Sequence, residues 1–138
     1  MAWQGGCACG AVRYEVDGPA FNQTLCHCSD CRRAAGAPAF AWFSVRTGDL
    51  RWTAGAPVQR RSSARASRAH CGACGTQLTW QGDGFPDEID IAAATLDDPT
   101  LAPPRDHTFV SERLPWLKLD DGLPAYPRTR AEGLAPQD

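Results

Sequence analysis

Short alternating runs of hydrophobic and polar residues dominate this chain, and helical spacing of apolar positions is scarce. Alternation with a period of two marks half-buried strands, whereas a helix repeats its apolar face every three to four residues. Residues 11–16 (Ala-Val-Arg-Tyr-Glu-Val) alternate cleanly, and the apolar run 40–45 (Phe-Ala-Trp-Phe-Ser-Val) reads as a buried strand. Further strands are predicted at 51–53, 59–67, 77–80 and 88–93, separated by Gly, Pro and Asp turns. One helical turn is predicted over 30–35, stopped by Gly36 and Pro38. The predicted fold class is mainly β, with short strands joined by tight turns.

Length and charge add limits to this picture. At 138 residues the chain suits one domain, placed at 1–126, and can bury about two thirds of its unfolded surface without disulfides. Residues 127–138 have little to bury and are predicted to form a loosely ordered tail. A net charge of −2 offers nothing special to polyanions or acidic membranes. No basic-then-apolar leader is visible, and the longest apolar run, 37–43, is far too short to cross a bilayer. The expectation is a cytoplasmic protein with no membrane partner, whose thiols stay reduced.

Seven cysteines then carry the chemistry, and their odd number argues against a complete disulfide framework. Cys7 and Cys9, two apart, direct both sulfurs to one side if the chain there is extended. Cys71-Gly-Ala-Cys74-Gly75 is a zinc-knuckle pattern, in which small residues let backbone amides curl toward the thiolates. Together these pairs supply four sulfurs for a closed, structural zinc site. Cys26, Cys28 and Cys31 form a second group, three ligands with the fourth position free, as a catalytic zinc requires. Spacing alone also admits a different grouping, with Cys7 and Cys9 joining Cys26 and Cys28. His27 lies between two of the thiols, but alternation turns its side chain away from both. Arg32 and Arg33 follow at once, placed to offset the charge of a thiolate-rich metal or to grip a substrate carboxylate. Ordinary surface arginines remain the other reading of that pair. Three thiolates donate heavily to zinc, so such a site acidifies water less than a three-histidine site and favours soft thiol chemistry.

Gly5-Gly6-Cys7-x-Cys9-Gly10-x-Val12-Arg13-Tyr14, Cys26-His27-Cys28-x-x-Cys31-Arg32-Arg33-x-x-Gly36-Ala37 and Cys71-x-x-Cys74-Gly75 carry a resemblance. The chain resembles the glutathione-dependent formaldehyde-activating family, which shares its domain with centromere protein V. Residues 111–126 are similar to that family's C-terminal region. The resemblance implies a β-tent fold of small antiparallel sheets organised around a structural zinc. It implies two zincs per chain, a structural one on Cys7, Cys9, Cys71 and Cys74 and a catalytic one on Cys26, Cys28 and Cys31. The implied activity joins formaldehyde to glutathione, a carbon–sulfur lyase when written in reverse, with a small thiol and a small aldehyde as partners. The catalytic set is then Cys26, Cys28 and Cys31, with Arg32 added for its position next to the triple. The alternative is a non-catalytic zinc module that binds or carries a thiol such as glutathione, or docks a protein partner.

Other features are weighed beside the cysteines. Arg60, Arg61, Arg65 and Arg68 make a basic stretch, but no aromatics interleave with it, which argues against a nucleic-acid partner. Glu88 and Asp90 alternate with Ile89 and Ile91 as a half-buried strand would. His70 and His107 are candidates for an acid, a base or a fourth metal ligand, or for hydrogen-bonded structural histidines. Trp42, Trp80 and Trp116 suit the core, and Trp116 after Pro115 also suits a pocket wall.

Overall fold

A computed structural model describes residues 2–134. Ten strands alternate with tight turns and a single short helix: β1 (Trp3–Gly6), β2 (Arg13–Val16), β3 (Phe21–Cys26), α1 (Ser29–Ala35), β4 (Phe40–Arg46), β5 (Leu50–Ala54), β6 (Val58–Ser63), β7 (Ala66–His70), β8 (Gln77–Gly82), β9 (Glu88–Ala92) and β10 (Asp106–Thr108). They form a three-stranded sheet in the order β1-β2-β5 and a seven-stranded sheet in the order β10-β3-β4-β9-β8-β7-β6. Every pairing is antiparallel except that of β10 with β3. The mainly β class read from alternation is the observed one.

Two departures from the predicted strands are instructive. Residues 59–67 are two strands, because the chain reverses at Ala64 and Arg65 and the Arg65 amide bonds the Ser63 hydroxyl at 3.1 Å. Arginine, serine and alanine run through that turn with no Gly, Pro, Asn or Asp, so composition gives no sign of the break. Residues 21–26 form a central strand that the sequence hides. Its pairing with β4 shifts between Phe21 and Thr24, around Asn22 in the left-handed region (φ 52), which interrupts the alternation.

Strand β4 shows why the larger sheet has two working faces. Trp42, Phe43, Ser44 and Val45 are all buried, as expected of a strand covered on both sides. Ala41, Phe43 and Val45 point into the main core with Tyr14, Val16, Ile89 and Ile91. Burying each of the large apolar side chains contributes about 1.5–3 kcal/mol. Phe40 and Trp42 point the other way and pack with Cys26, Cys31, Ala92 and Phe109. That second, smaller cluster forms part of the candidate site.

The segment expected to be loosely ordered is only partly described, and residues 127–134 are tied back to the domain. Arg130 Nε donates to Asp106 at 2.6 Å and its Nη1 to Asn22 Oδ1 at 2.7 Å, while the Phe109 amide bonds the Arg128 carbonyl. The sequence conceals this because its anchors are polar and lie up to 108 residues away.

Candidate metal centres and the cavity over the triple

Cys7, Cys9, Cys71 and Cys74 come together as one group and Cys26, Cys28 and Cys31 as another, with the sulfurs of each within 4.8 Å of one another. The alternative grouping of Cys7 and Cys9 with Cys26 and Cys28 is not the one formed. All seven cysteines are free thiols.

The four-cysteine group joins the two sheets. Cys7 and Cys9 sit in the turn between β1 and β2, not on an extended strand, and that turn brings their sulfurs to 3.6 Å. Cys71 and Cys74 sit in the turn between β7 and β8, where Gly75 at φ +81 lets the chain curl back. Amides of Ala73 and Cys74 both donate to Cys71 Sγ at 3.4 Å, and the Val12 amide donates to Cys7 Sγ at 3.3 Å. Such donors favour the ionised thiol. The Val12 amide holds Cys7 below the usual thiol range, and the Thr76 hydroxyl and amide bring Cys74 down to about 5. Thr76 also accepts the Ala8 amide at 3.1 Å, so this unforeseen residue links the two turns. Four zinc–sulfur bonds of about 2.3 Å make a tetrahedron with edges of about 3.8 Å. The Cys7–Cys9 and Cys9–Cys71 separations, 3.6 and 3.8 Å, fit that size.

The three-cysteine group spans the end of β3 and the start of α1. Cys26 ends the strand, Cys28 caps the helix by accepting the Cys31 amide at 3.3 Å, and Cys31 is the buried residue of the helix. Hydrogen bonds from Cys26 and Cys28 bring Cys31 down to about 2, and Arg68 Nη2, 3.6 Å from its sulfur, adds to that effect. The same contacts push Cys26 strongly up, chiefly through Cys28. Three adjacent thiolates repel one another, and a dication is what allows all three to ionise. A zinc with three thiolates carries net charge −1, and Arg68 is the guanidinium in contact with the group. Arg68 is 4 % exposed and lies 6.0 Å from the Trp42 ring centroid. Arg32, expected in that role, is not in the cavity wall, and its Nε is buried without a partner; Arg33 points to a neighbouring groove.

Among the described residues, no histidine or carboxylate joins the triple within the same distance. His27 is turned away and buried, with Nε2 3.0 Å from His107 Nδ1, while His107 Nε2 lies 2.8 Å from Asp121 Oδ2. Asp121 only accepts, so His107 Nε2 carries the proton of that bond. Burial holds His27 down at about 4, which keeps it neutral. This chain of bonds, together with the His27 amide on the Thr108 carbonyl, fixes the backbone between Cys26 and Cys28. His70 lies on β7, outside this arrangement.

A cavity of about 570 Å³ opens over the triple. One row across the sheet, Arg68 opposite Trp80, Trp80 opposite Asp90 and Asp90 opposite Ser44, sets four side chains on its wall. Trp42, Phe109, Glu112 and Arg130 add to it. Phe109 is held at φ 57, a conformation that costs a bulky residue energy, and its ring packs on the triple's cluster. Asp90 accepts the Ser44 hydroxyl at 2.6 Å through Oδ1. Burial pushes its carboxyl up to about 6, opposed by Ser44 and aided by Glu88 and Cys31. The alternation of Glu88–Ala92 did mark a half-buried strand, but it hid that the polar member faces a cavity. Trp80 walls the cavity and Trp42 is buried beside the triple, whereas Trp116 is 68 % exposed and lines neither this cavity nor the groove beside it.

The family model described as glutathione-dependent formaldehyde-activating enzyme matches residues 2–112. No curated protein matches the chain. Among solved structures, the crystal structure of a Rhodobacter sphaeroides protein from structural genomics is similar in fold, with a TM-score of 0.55 and 24% identity. The alignment covers 89% of this chain and 98% of that one.

Proposed function

We propose, on the premise that the chain belongs to the glutathione-dependent formaldehyde-activating enzyme family, that it is a zinc-dependent enzyme of the carbon–sulfur lyase type. Its substrates are a low-molecular-weight thiol and a small aldehyde, and the reaction forms or breaks the bond between sulfur and the carbonyl carbon. The observation that carries this reading is the cavity over Cys26, Cys28 and Cys31, a triple of thiols to which, among the described residues, no fourth side chain is added. Cys7, Cys9, Cys71 and Cys74 would hold a structural zinc that staples the two sheets.

A zinc held by the triple supplies a Lewis acid that keeps a substrate thiol ionised at neutral pH. The chain's own residues do the rest. Trp42, Trp80 and Phe109 give the cavity apolar walls that keep water from the reacting carbon. Arg68 balances the negative charge of the triple. Asp90 carries the proton. As the sulfur lone pair adds to the carbonyl carbon, the C=O electron pair moves to oxygen, and the Asp90 carboxyl delivers a proton there. The thiol's own proton restores the Asp90 carboxyl, and the reverse sequence expels the aldehyde. Seven free thiols suit a reducing compartment such as the cytoplasm.

The test is steady-state turnover of formaldehyde with glutathione and other small thiols, comparing Cys28→Ser with the wild type. Thiol-dependent turnover that the variant loses supports the reading. Thiol binding without turnover above background would leave the non-catalytic thiol carrier in its place.

A further inference from the structure

The basic stretch that the proposed chemistry does not use has a definite place in the fold. Arg60 on β6 is directly opposite Arg68 on β7, so both side chains leave the same face of the sheet. Arg61 leaves the other face and is satisfied there, with two bonds to Asp83 at 2.8 and 2.7 Å. Arg65 in the turn and Arg33 on α1 complete the walls of a groove of about 610 Å³, together with the hydroxyl-bearing Ser62 and Ser63. Among the described residues, the guanidinium groups of Arg33, Arg60 and Arg65 make no hydrogen bond or ion pair. Asp30 is the single carboxylate of the groove wall. Like charges directly opposite in a sheet destabilise it, so a cluster kept without partners points to an anion that supplies them.

This groove is continuous with the cavity over the triple. Asp30, Arg68, Trp80, Gly82 and Phe85 line both. A ligand with its sulfur at the triple therefore passes Trp80 and the exposed Phe85 ring before it reaches Arg60 and Arg65. A carboxylate brings one charge and two oxygens, enough for one guanidinium fork. A terminal phosphate brings nearly two charges and three acceptor oxygens, which matches three unpartnered guanidinium groups and the Ser63 hydroxyl.

We propose that the groove of Arg33, Arg60 and Arg65 binds the terminal phosphate of a phosphorylated thiol whose sulfur sits at Cys26, Cys28 and Cys31. This identifies the substrate class and rests on the reading of the triple as a thiol site. The two ideas fail separately. Isothermal titration of the zinc-loaded protein would compare 4′-phosphopantetheine with pantetheine, the same thiol without its phosphate, and with glutathione. The phosphorylated thiol is expected to bind tighter than pantetheine by about tenfold or more, with the gap shrinking as salt is raised. Inorganic pyrophosphate should compete with it. In Arg60→Gln/Arg65→Gln, two exposed sites whose loss leaves the fold intact, the gap should fall to about threefold or less. Pantetheine itself should bind that variant as it binds the wild type. Equal affinity for the two pantetheines, a gap unmoved by the double substitution, or stronger binding of glutathione or of a single-stranded oligonucleotide would overturn the phosphate site. Those outcomes leave thiol binding at the triple standing. No binding of any thiol would overturn the reading of the triple, while competition between pyrophosphate and an oligophosphate dye would still test the groove.

Discussion

Replacing Asp90 by asparagine should make the protein more stable as pH rises, and the size of the effect follows from the site. The Asp90 carboxyl lies at about 6 in the fold against 3.8 in the unfolded chain, because burial disfavours its charge while only the Ser44 hydroxyl compensates. Its folded value is the higher one, so its contribution to stability is complete below about 3.8 and is lost as pH climbs through about 6. At 1.36 kcal/mol per unit the whole loss is on the order of 3 kcal/mol. Roughly half of that falls between about pH 5 and pH 8. The asparagine amide keeps an oxygen for the Ser44 hydroxyl and does not ionise. Urea unfolding of zinc-loaded wild type and Asp90→Asn, side by side, subtracts the titration of the cysteines. The variant should gain on the wild type by on the order of 1–2 kcal/mol across that range. Glu88 on the same strand and the Cys31 thiolate face the carboxyl as like charges and enlarge the shift, and Arg68 lies one strand beyond Trp80. A stability difference that stays flat with pH, or that moves in favour of the wild type, would refute the burial of an ionisable Asp90. Turnover should fall in the variant and lose its decline above about pH 6, since a donor has been traded for stability.

Two further substitutions probe the frame around the site. His107→Ala leaves the buried His27 Nε2 without its hydrogen-bond partner and should cost about 1–3 kcal/mol. It should also speed hydrogen exchange at Tyr126, whose amide bonds the His107 carbonyl. Gly5→Ala would drive a Cβ into Tyr14 Oη and to 2.5 Å from the Thr95 carbonyl, displacing the 2.8 Å Tyr14–Thr95 bond. Overpacking of that kind should lower stability by about 1–3 kcal/mol, read from the thermal midpoint with activity per folded molecule unchanged.

The sequence revealed the ligands far better than the walls. Cysteine spacing is a local signal, so Cys71 to Gly75 reads as a knuckle in isolation, and Cys26, Cys28 and Cys31 lie close enough for a turn and one helical start to gather them. The partners of those sulfurs lie far away in sequence. Arg68 reaches Cys31 over 37 positions and His107 reaches His27 over 80, contacts that only the sheet order creates. Arg32 follows the triple in sequence, yet one position along a helix turns a side chain by about a hundred degrees. Asp90 was legible as a strand residue and illegible as a cavity residue, because period two distinguishes faces without saying what covers them.

The central claim is an open three-thiolate zinc that receives a substrate thiol, and zinc-edge X-ray absorption tests it most directly. Protein carrying two zincs per chain should show a mean of about 3.5 sulfur neighbours per zinc, from one four-cysteine and one three-cysteine site. Saturation with a small thiol should raise that mean to about 4. A mean that stays near 3.5 under saturating thiol, or that already stands at 4 without it, would contradict the account.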